Sequence, residues 1–272
     1  MTEPATPAAA DDEIGPGPLS RASAVVYWFV VIEALFALTT VPALGWLLFL
    51  EPHWSNVPLV VALAIPVGPA VSASLFAWRK FTEERDLKPA RHFWRGYRLN
   101  WADALRLWVP ALVVLVLLGF NLANLTSTDA PVAFGVVGAV VAVVAVVWTA
   151  HALLVTSLFS FRARDVSRVA AYFLLSKPLA SLGVLSLAVL TLAATWWAGD
   201  WLPLALGSVL TYLLWRNGAP IVAEVHRRFV VGAPEAPRAK PWPGLDGTDL
   251  DGAADDAGGS EDRPDGPTNG ER

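Results

Sequence analysis

The chain contains no cysteine. Disulfide frameworks, thiolate metal sites, iron–sulfur ligation and cysteine nucleophiles are therefore excluded together, and composition says nothing about redox compartment. Charge is scarce as well: Asp, Glu, Lys and Arg make up 16% of the 272 residues, against 55% hydrophobic. An ordinary soluble domain of this length carries far more charge, so a membrane protein is the first reading. The start, MTEPATPAAADDEIGPGPLSR, lacks a basic region leading into a short apolar stretch and a cleavage site, and no cleaved signal peptide is expected.

Catalytic signatures are missing too. There is no G-x-x-x-x-G-K-[ST] phosphate loop, no strand-borne G-x-G-x-x-G, no H-E-x-x-H and no G-x-S-x-G elbow. His53, His92 and His226 fall on different linkers or tails and form no metal-ligand spacing. Glu83 and Glu84 sit between bases on a linker, where a solvated charged face explains them. The expectation is a protein that is not an enzyme and holds neither cofactor nor metal.

What is present is a set of long apolar runs. A crossing needs about 20 apolar residues for about 30 Å of hydrocarbon. Six runs qualify or nearly so: 24–50, 57–78, 104–125, 131–159, 171–197 and 202–220. The expected fold is all-α, a polytopic bundle of six transmembrane helices over 23–231. Disordered acidic tails are expected over 1–22 and 232–272. The last of these has 10 Asp/Glu against 4 Lys/Arg and too few large apolar residues to offset the entropy of ordering it.

Lys and Arg near span ends are retained in the cytoplasm. The linker over 79–102 holds Arg79, Lys80, Arg85, Lys88, Arg91, Arg95 and Arg98; that over 160–169 holds Arg162, Arg164 and Arg168; Arg227 and Arg228 follow the last run. The linkers EPHWSN, STDA and AGDW hold none. Alternate connectors are thus basic and bare. That pattern predicts an even number of crossings of the inner (plasma) membrane, with both termini cytoplasmic. Tryptophan agrees: Trp46, Trp54, Trp196, Trp197 and Trp201 fall at the predicted outer edge, and Trp78, Trp94 and Trp101 near the inner one.

Within 91–108, Trp94, Tyr97, Trp101, Leu105 and Trp108 recur at helical spacing among Arg91, Arg95 and Arg98. This predicts an amphipathic helix on the inner membrane surface, turning into the third span. RNA or a partner protein would also accept such a stripe, but its place between two spans favours the lipid bilayer, and no nucleic-acid partner is expected.

Several of these blocks resemble a known family. GPAVSASLFAWRKF, DLKPARHFWRGYRLN and LRLWVP within Leu59 to Trp108, with SLFSFRARDVSRVAAYFL and LLWRNGAPIVAEV, resemble the YesL-like family of bacterial integral membrane proteins, in its actinobacterial branch. The resemblance covers roughly residues 25–230. It implies a multi-helix membrane protein of unassigned activity, associated with carbohydrate uptake or use, and brings no ligand residues with it. Transporter subunits docking on the cytoplasmic loops are the partners it implies.

The candidate positions lie inside the runs. In AIPVGPAVS, Pro66 and Pro69 each remove a backbone donor, so the second span should kink or unwind from Ile65 to Gly68. Carbonyls freed there must find partners, which turns the segment towards the bundle interior. Gly68 with Ser72, and Ala70 with Ser74, form small-xxx-small faces. Two readings stand: a packing kink, or exposed carbonyls lining a substrate path. Glu33 lies about 13 Å along the first span from its inner end, and His151 at comparable depth on the fourth, where an ion pair or hydrogen bond is conceivable. Glu33 is the candidate for proton coupling or substrate contact. Lys177 and Arg216 read as snorkelling anchors, Asn217 and Pro220 as the place where the last span frays, and Asn121 and Asn124 as donors between helices. The functional expectation is a non-enzymatic accessory to a carbohydrate transport or utilisation system. The alternative is a small transporter using the kinked span and Glu33.

Overall fold

Prolines open four of the helices. Pro18, Pro58, Pro89 and Pro178 each occupy the first or second position of a helix, where a missing N–H costs nothing. The computed structural model describes residues 17–229 apart from 51–52, 85, 126–130, 160 and 200. The described helices are α1 (Pro18–Leu44), α2 (Val57–Ala64), α3 (Val67–Glu84), α4 (Pro89–Ala123), α5 (Val132–Leu158), α6 (Ala163–Ser176), α7 (Pro178–Ala198), α8 (Trp201–Ala205) and α9 (Gly207–Phe229), with short 3-10 turns at Gly45–Phe49 and Trp54–Asn56. No strand occurs among the described residues. Residues 18–22, expected in the N-terminal tail, belong to α1, with Gly17 at its N-cap; residues 1–16 and the whole of 232–272 lie outside the described residues.

Among the described residues, five stretches are long and apolar enough to cross a membrane: Leu19–Leu47, Val57–Glu84, Pro89–Ala123, Val132–Leu158 and Pro178–Ala198. Among the described residues the chain is all-α, with membrane-helix character. The fifth begins later than the sequence predicts. Lys177 precedes a proline and leaves the helical region (φ −126°, ψ 67°), as that neighbour requires, so 171–176 belongs to α6. α6 is the strongly amphipathic helix of the fold: Val166, Ala170 and Phe173 are buried, while Arg164, Arg168 and Tyr172 are exposed. By contrast, 91–108 is no separate surface helix. It is the first half of α4, 35 unbroken residues packed antiparallel to α3. Two rows of its side chains explain this, since Phe93, Gly96, Ala104 and Leu107 are buried while Trp94 and Trp101 face out.

The sixth run also differs. α9 does not fray at Asn217 or Pro220; it continues to Phe229. It packs against α1, α3, α5 and α7, with Ser208, Thr211, Ile221, Glu224 and Val225 buried. A helix covered by protein on much of its girth can carry Asn217 and Glu224 on its inner side, which lowers its hydropathy.

Two apolar clusters fill the interior. One joins α3, α5, α6 and α9 through Leu75, Leu154, Val155, Phe173 and Ile221. The other is aromatic, with Trp28, Trp78 and Phe93 at its centre and Phe29, Phe81 and Tyr212 around them. Trp78, expected at the membrane edge, is fully buried there because its indole N–H reaches Thr211 Oγ1 at 3.2 Å and its faces meet Phe29 and Tyr212 at 4.6 and 5.0 Å. Each such ring pair adds about 0.5–1.5 kcal/mol beyond area burial.

The basic connectors gather at one end of the bundle. Arg79 Nη1 and Asn100 Nδ2 donate to the last carbonyls of α5, Leu158 and Ser157, at 2.7 and 3.1 Å. A cation at a helix carboxyl terminus satisfies both the orphan acceptors and the dipole. Phe159, one residue beyond, faces His226 of α9. The opposite end is marked by exposed Trp46, Trp196, Trp197 and Trp201.

Candidate functional site

The break at AIPVGPAVS has a specific filling. α2 ends at Ala64, α3 starts at Val67, and Pro69 therefore falls in a first turn that has no donor to lose. The freed Ala64 carbonyl accepts the indole N–H of Trp108 from α4 at 3.0 Å. Gly68 makes this approach feasible. A Cβ there would collide with Trp108 Cβ, Cγ and Cδ1. One turn on, Ser72 Oγ accepts from Ser157 Oγ of α5 at 2.9 Å, and Ser74 Oγ donates back to Ala70 O at 2.9 Å. Gly68, Pro69, Ala70, Ser72 and Ser74 are all buried. The unwound turn is a socket for a tryptophan, and its Ala64 carbonyl is covered.

Glu33 takes a different partner from the expected one. Phe36, three residues on along α1, lies flat against Gly207, and this close approach brings the carboxylate to the start of α9. Glu33 Oε2 accepts the backbone N–H of Ser208 at 2.7 Å, at the positive end of a helix dipole. Its Oε1 is buried and has no partner. The side chain borders a cavity of about 710 Å³ shared with Ala37, Val41, Thr195, Trp201 and Leu204. His151 is buried on α5 with neither ring nitrogen bonded. The two residues do not bond to each other.

Towards the basic end, polar groups pair across α7 and α9. Asn217 Nδ2 donates to Ala180 O at 2.7 Å over Gly183, where no side chain would fit beneath the amide. Glu224, buried, is met by Lys177 Nζ at 3.6 Å and by Arg227. Lys177 is thus an ion-pair partner rather than only an anchor. Arg216 is exposed and has no ion-pair partner among the described residues. Asn121, expected to bond between helices, donates instead to Leu117 O one turn back on α4, and Asn124 donates to Phe120 O. Their short amides reach their own helix first.

The basic surface is open. Arg91, Trp94, Arg95 and Arg98 on α4 and Arg162 and Arg164 at the start of α6 are all exposed, and none of the five arginines has an ion-pair partner among the described residues. Between the two groups lies a polar cavity of about 420 Å³ lined by Asn100, Asp103, Arg106, Ser157 and Arg162.

Three residues that the sequence does not single out as a group meet at the α3/α4 junction. His92 is buried, with Nε2 at 2.9 and 3.1 Å from the two oxygens of Asp86 and 3.6 Å from Glu84 Oε2. Trp28 of α1 stacks on the His92 ring (5.9 Å, 18°) and donates its N–H to Asp86 O at 2.8 Å. The acid-x-acid pattern of Glu84 and Asp86, with a histidine in the first turn of the next helix, was the available signal.

A family model described as "Protein of unknown function, DUF624" matches residues 26–122, from α1 to the end of α4. No curated protein and no solved structure matches the chain.

Proposed function

We propose that the chain is a six-crossing protein of the cell membrane with both termini cytoplasmic, acting as a non-enzymatic accessory to a carbohydrate transport or utilisation system. The observation that carries the docking role is the set of exposed, unpaired arginines at one end: Arg91, Arg95 and Arg98 on α4, Arg162 and Arg164 at α6. An arginine left without an internal partner keeps its fork of donors for a carboxylate or phosphate elsewhere. The carbohydrate part of the reading rests on the YesL-like resemblance. The sixth crossing is α9. Its 23 residues extend about 34 Å at 1.5 Å each, enough for the hydrocarbon layer. Its direction returns the chain to the basic end.

The second reading, a small solute transporter, is favoured by the Glu33 cavity and weakened at the kink, where Trp108 already occupies the Ala64 carbonyl. Two experiments separate them. A photo-crosslinking residue at Arg95 or Arg164, in living cells, is expected to capture subunits of a carbohydrate uptake system. Solute flux into liposomes containing only this protein, abolished by Glu33→Gln in a variant that stays folded, would displace the accessory reading.

A further inference from the structure

We propose that Glu84, Asp86 and His92 form a binding site for a divalent transition cation, of the kind that accepts imidazole nitrogen and carboxylate oxygen together, such as Zn2+ or Mn2+. One ligand atom from each residue lies within 4.8 Å of the other two. Two ligands bonded to one ion at about 2.1 Å, at angles between octahedral and tetrahedral, stand about 3.0–3.4 Å apart. His92 Nε2 stands 2.9 Å from Asp86 Oδ2 and 3.6 Å from Glu84 Oε2, two spacings within a few tenths of an ångström of that range, and the two carboxylates lie within 4.8 Å of each other.

The ligands are held by their surroundings, as metal ligands need to be. Trp28 fixes two of them at once, stacking on the His92 ring and tethering the Asp86 backbone. Lys80 Nζ holds the other oxygen of Glu84 at 2.8 Å and shares its charge with Glu83 at 2.9 Å, which leaves Glu84 Oε2 turned to the cluster. Imidazole suits Zn2+, Fe2+ or Ni2+, and carboxylate suits Mn2+. A mixed set of this kind discriminates against Mg2+, which keeps its water and binds to oxygen. Glu84 and Asp86 are partly exposed, so water would complete the shell. An ion there would join the end of α3, the turn after it and the start of α4, beside Trp28 of α1.

The test uses the full chain in detergent, stripped with EDTA, then dialysed against Zn2+, Mn2+ or Mg2+ and counted by elemental mass spectrometry; Co2+ is added separately for its visible absorption. The expected result is one tightly held Zn2+ or Mn2+ per chain and no retained Mg2+. His92→Gln and Asp86→Asn should each weaken binding at least about tenfold, while Asp165→Asn, an exposed acid on α6, leaves it unchanged. If His92→Gln does not fold, Glu84→Gln, at the exposed edge, replaces it. The proposal is overturned if no saturable binding appears, if Mg2+ is held as well as Zn2+, or if affinity survives all the site variants, as it would if the acids of 232–272 were the binders.

Discussion

Substituting Gly68 by alanine should destabilise the fold although it improves the helix. Gly68 stands in the first turn of α3, so alanine gains there at most the about 0.8–1.0 kcal/mol that it holds over glycine in a helix interior. At Gly68 the new methyl would overlap Trp108 at Cβ and Cγ, atoms too close to the α4 backbone to swing away. Overpacking of this kind costs about 1–3 kcal/mol. The displaced indole would also release Ala64 O, and hydrogen bonds between membrane helices contribute about 0.6 kcal/mol on average and at most about 1.7. Net destabilisation of about 1–3 kcal/mol follows for Gly68→Ala. Gly119 is the control, because a Cβ there meets nothing within 4 Å, so Gly119→Ala should be neutral or stabilising. Both are measured as thermal unfolding in detergent followed by far-ultraviolet circular dichroism, alongside Trp108→Ala and the Gly68→Ala/Trp108→Ala double variant. Trp108→Ala alone should cost about 3–5 kcal/mol, and in that background the added methyl should become harmless. If Gly68→Ala matches Gly119→Ala, or the two changes simply add, the socket is not what holds the break.

Three further outcomes follow from the same geometry. Trp78→Phe removes the bond to Thr211 while keeping the ring stack, and should cost about 0.5–1.5 kcal/mol, against about 3–5 kcal/mol for Trp78→Ala, by the same unfolding assay. Glu33→Gln retains an acceptor for Ser208 N–H, whereas Glu33→Ala loses that bond, about 0.5–1.5 kcal/mol, and should melt lower than Glu33→Gln. Asn217→Ala strands no donor but frees Ala180 O and empties the space over Gly183, costing about 1–3 kcal/mol, whereas Asn217→Asp, which cannot donate, should be no better than alanine.

The apolar helices and their punctuation were largely legible because hydropathy and proline act locally. Pro66 and Pro69 mark the break between α2 and α3 to within a residue or two, and the Gly68/Ser72 face meets α4 and α5 as the spacing implies. The errors share a cause. A tryptophan is equally suited to a membrane edge and to a protein core, so Trp78 and Trp108 gave no hint of whether lipid, Thr211 or Ala64 O would receive their N–H groups. Periodicity likewise fixes a stripe but not its partner: on α4 it is Phe93, Gly96 and Leu107 that face inwards, leaving Trp94 and Trp101 outside. Long-range pairs were beyond reach altogether. Depth along two spans made Glu33 and His151 a plausible couple, yet the contact between Phe36 and Gly207 gives Glu33 to Ser208. His92 looked isolated because its carboxylates come from the preceding helix end and turn, and a second, distant helix supplies the tryptophan that orders them.

A cysteine-free chain allows the topology to be read one residue at a time. Single cysteines at Ser55, Arg95, Arg164, Trp201 and Arg227, probed with a membrane-impermeant maleimide in intact and then permeabilised cells, report the side on which each connector lies. Labelling in intact cells at 55 and 201 only, with 95, 164 and 227 reacting after permeabilisation, is the expected pattern. Reaction of position 227 in intact cells together with 55 would mean that α9 does not cross, and would contradict it.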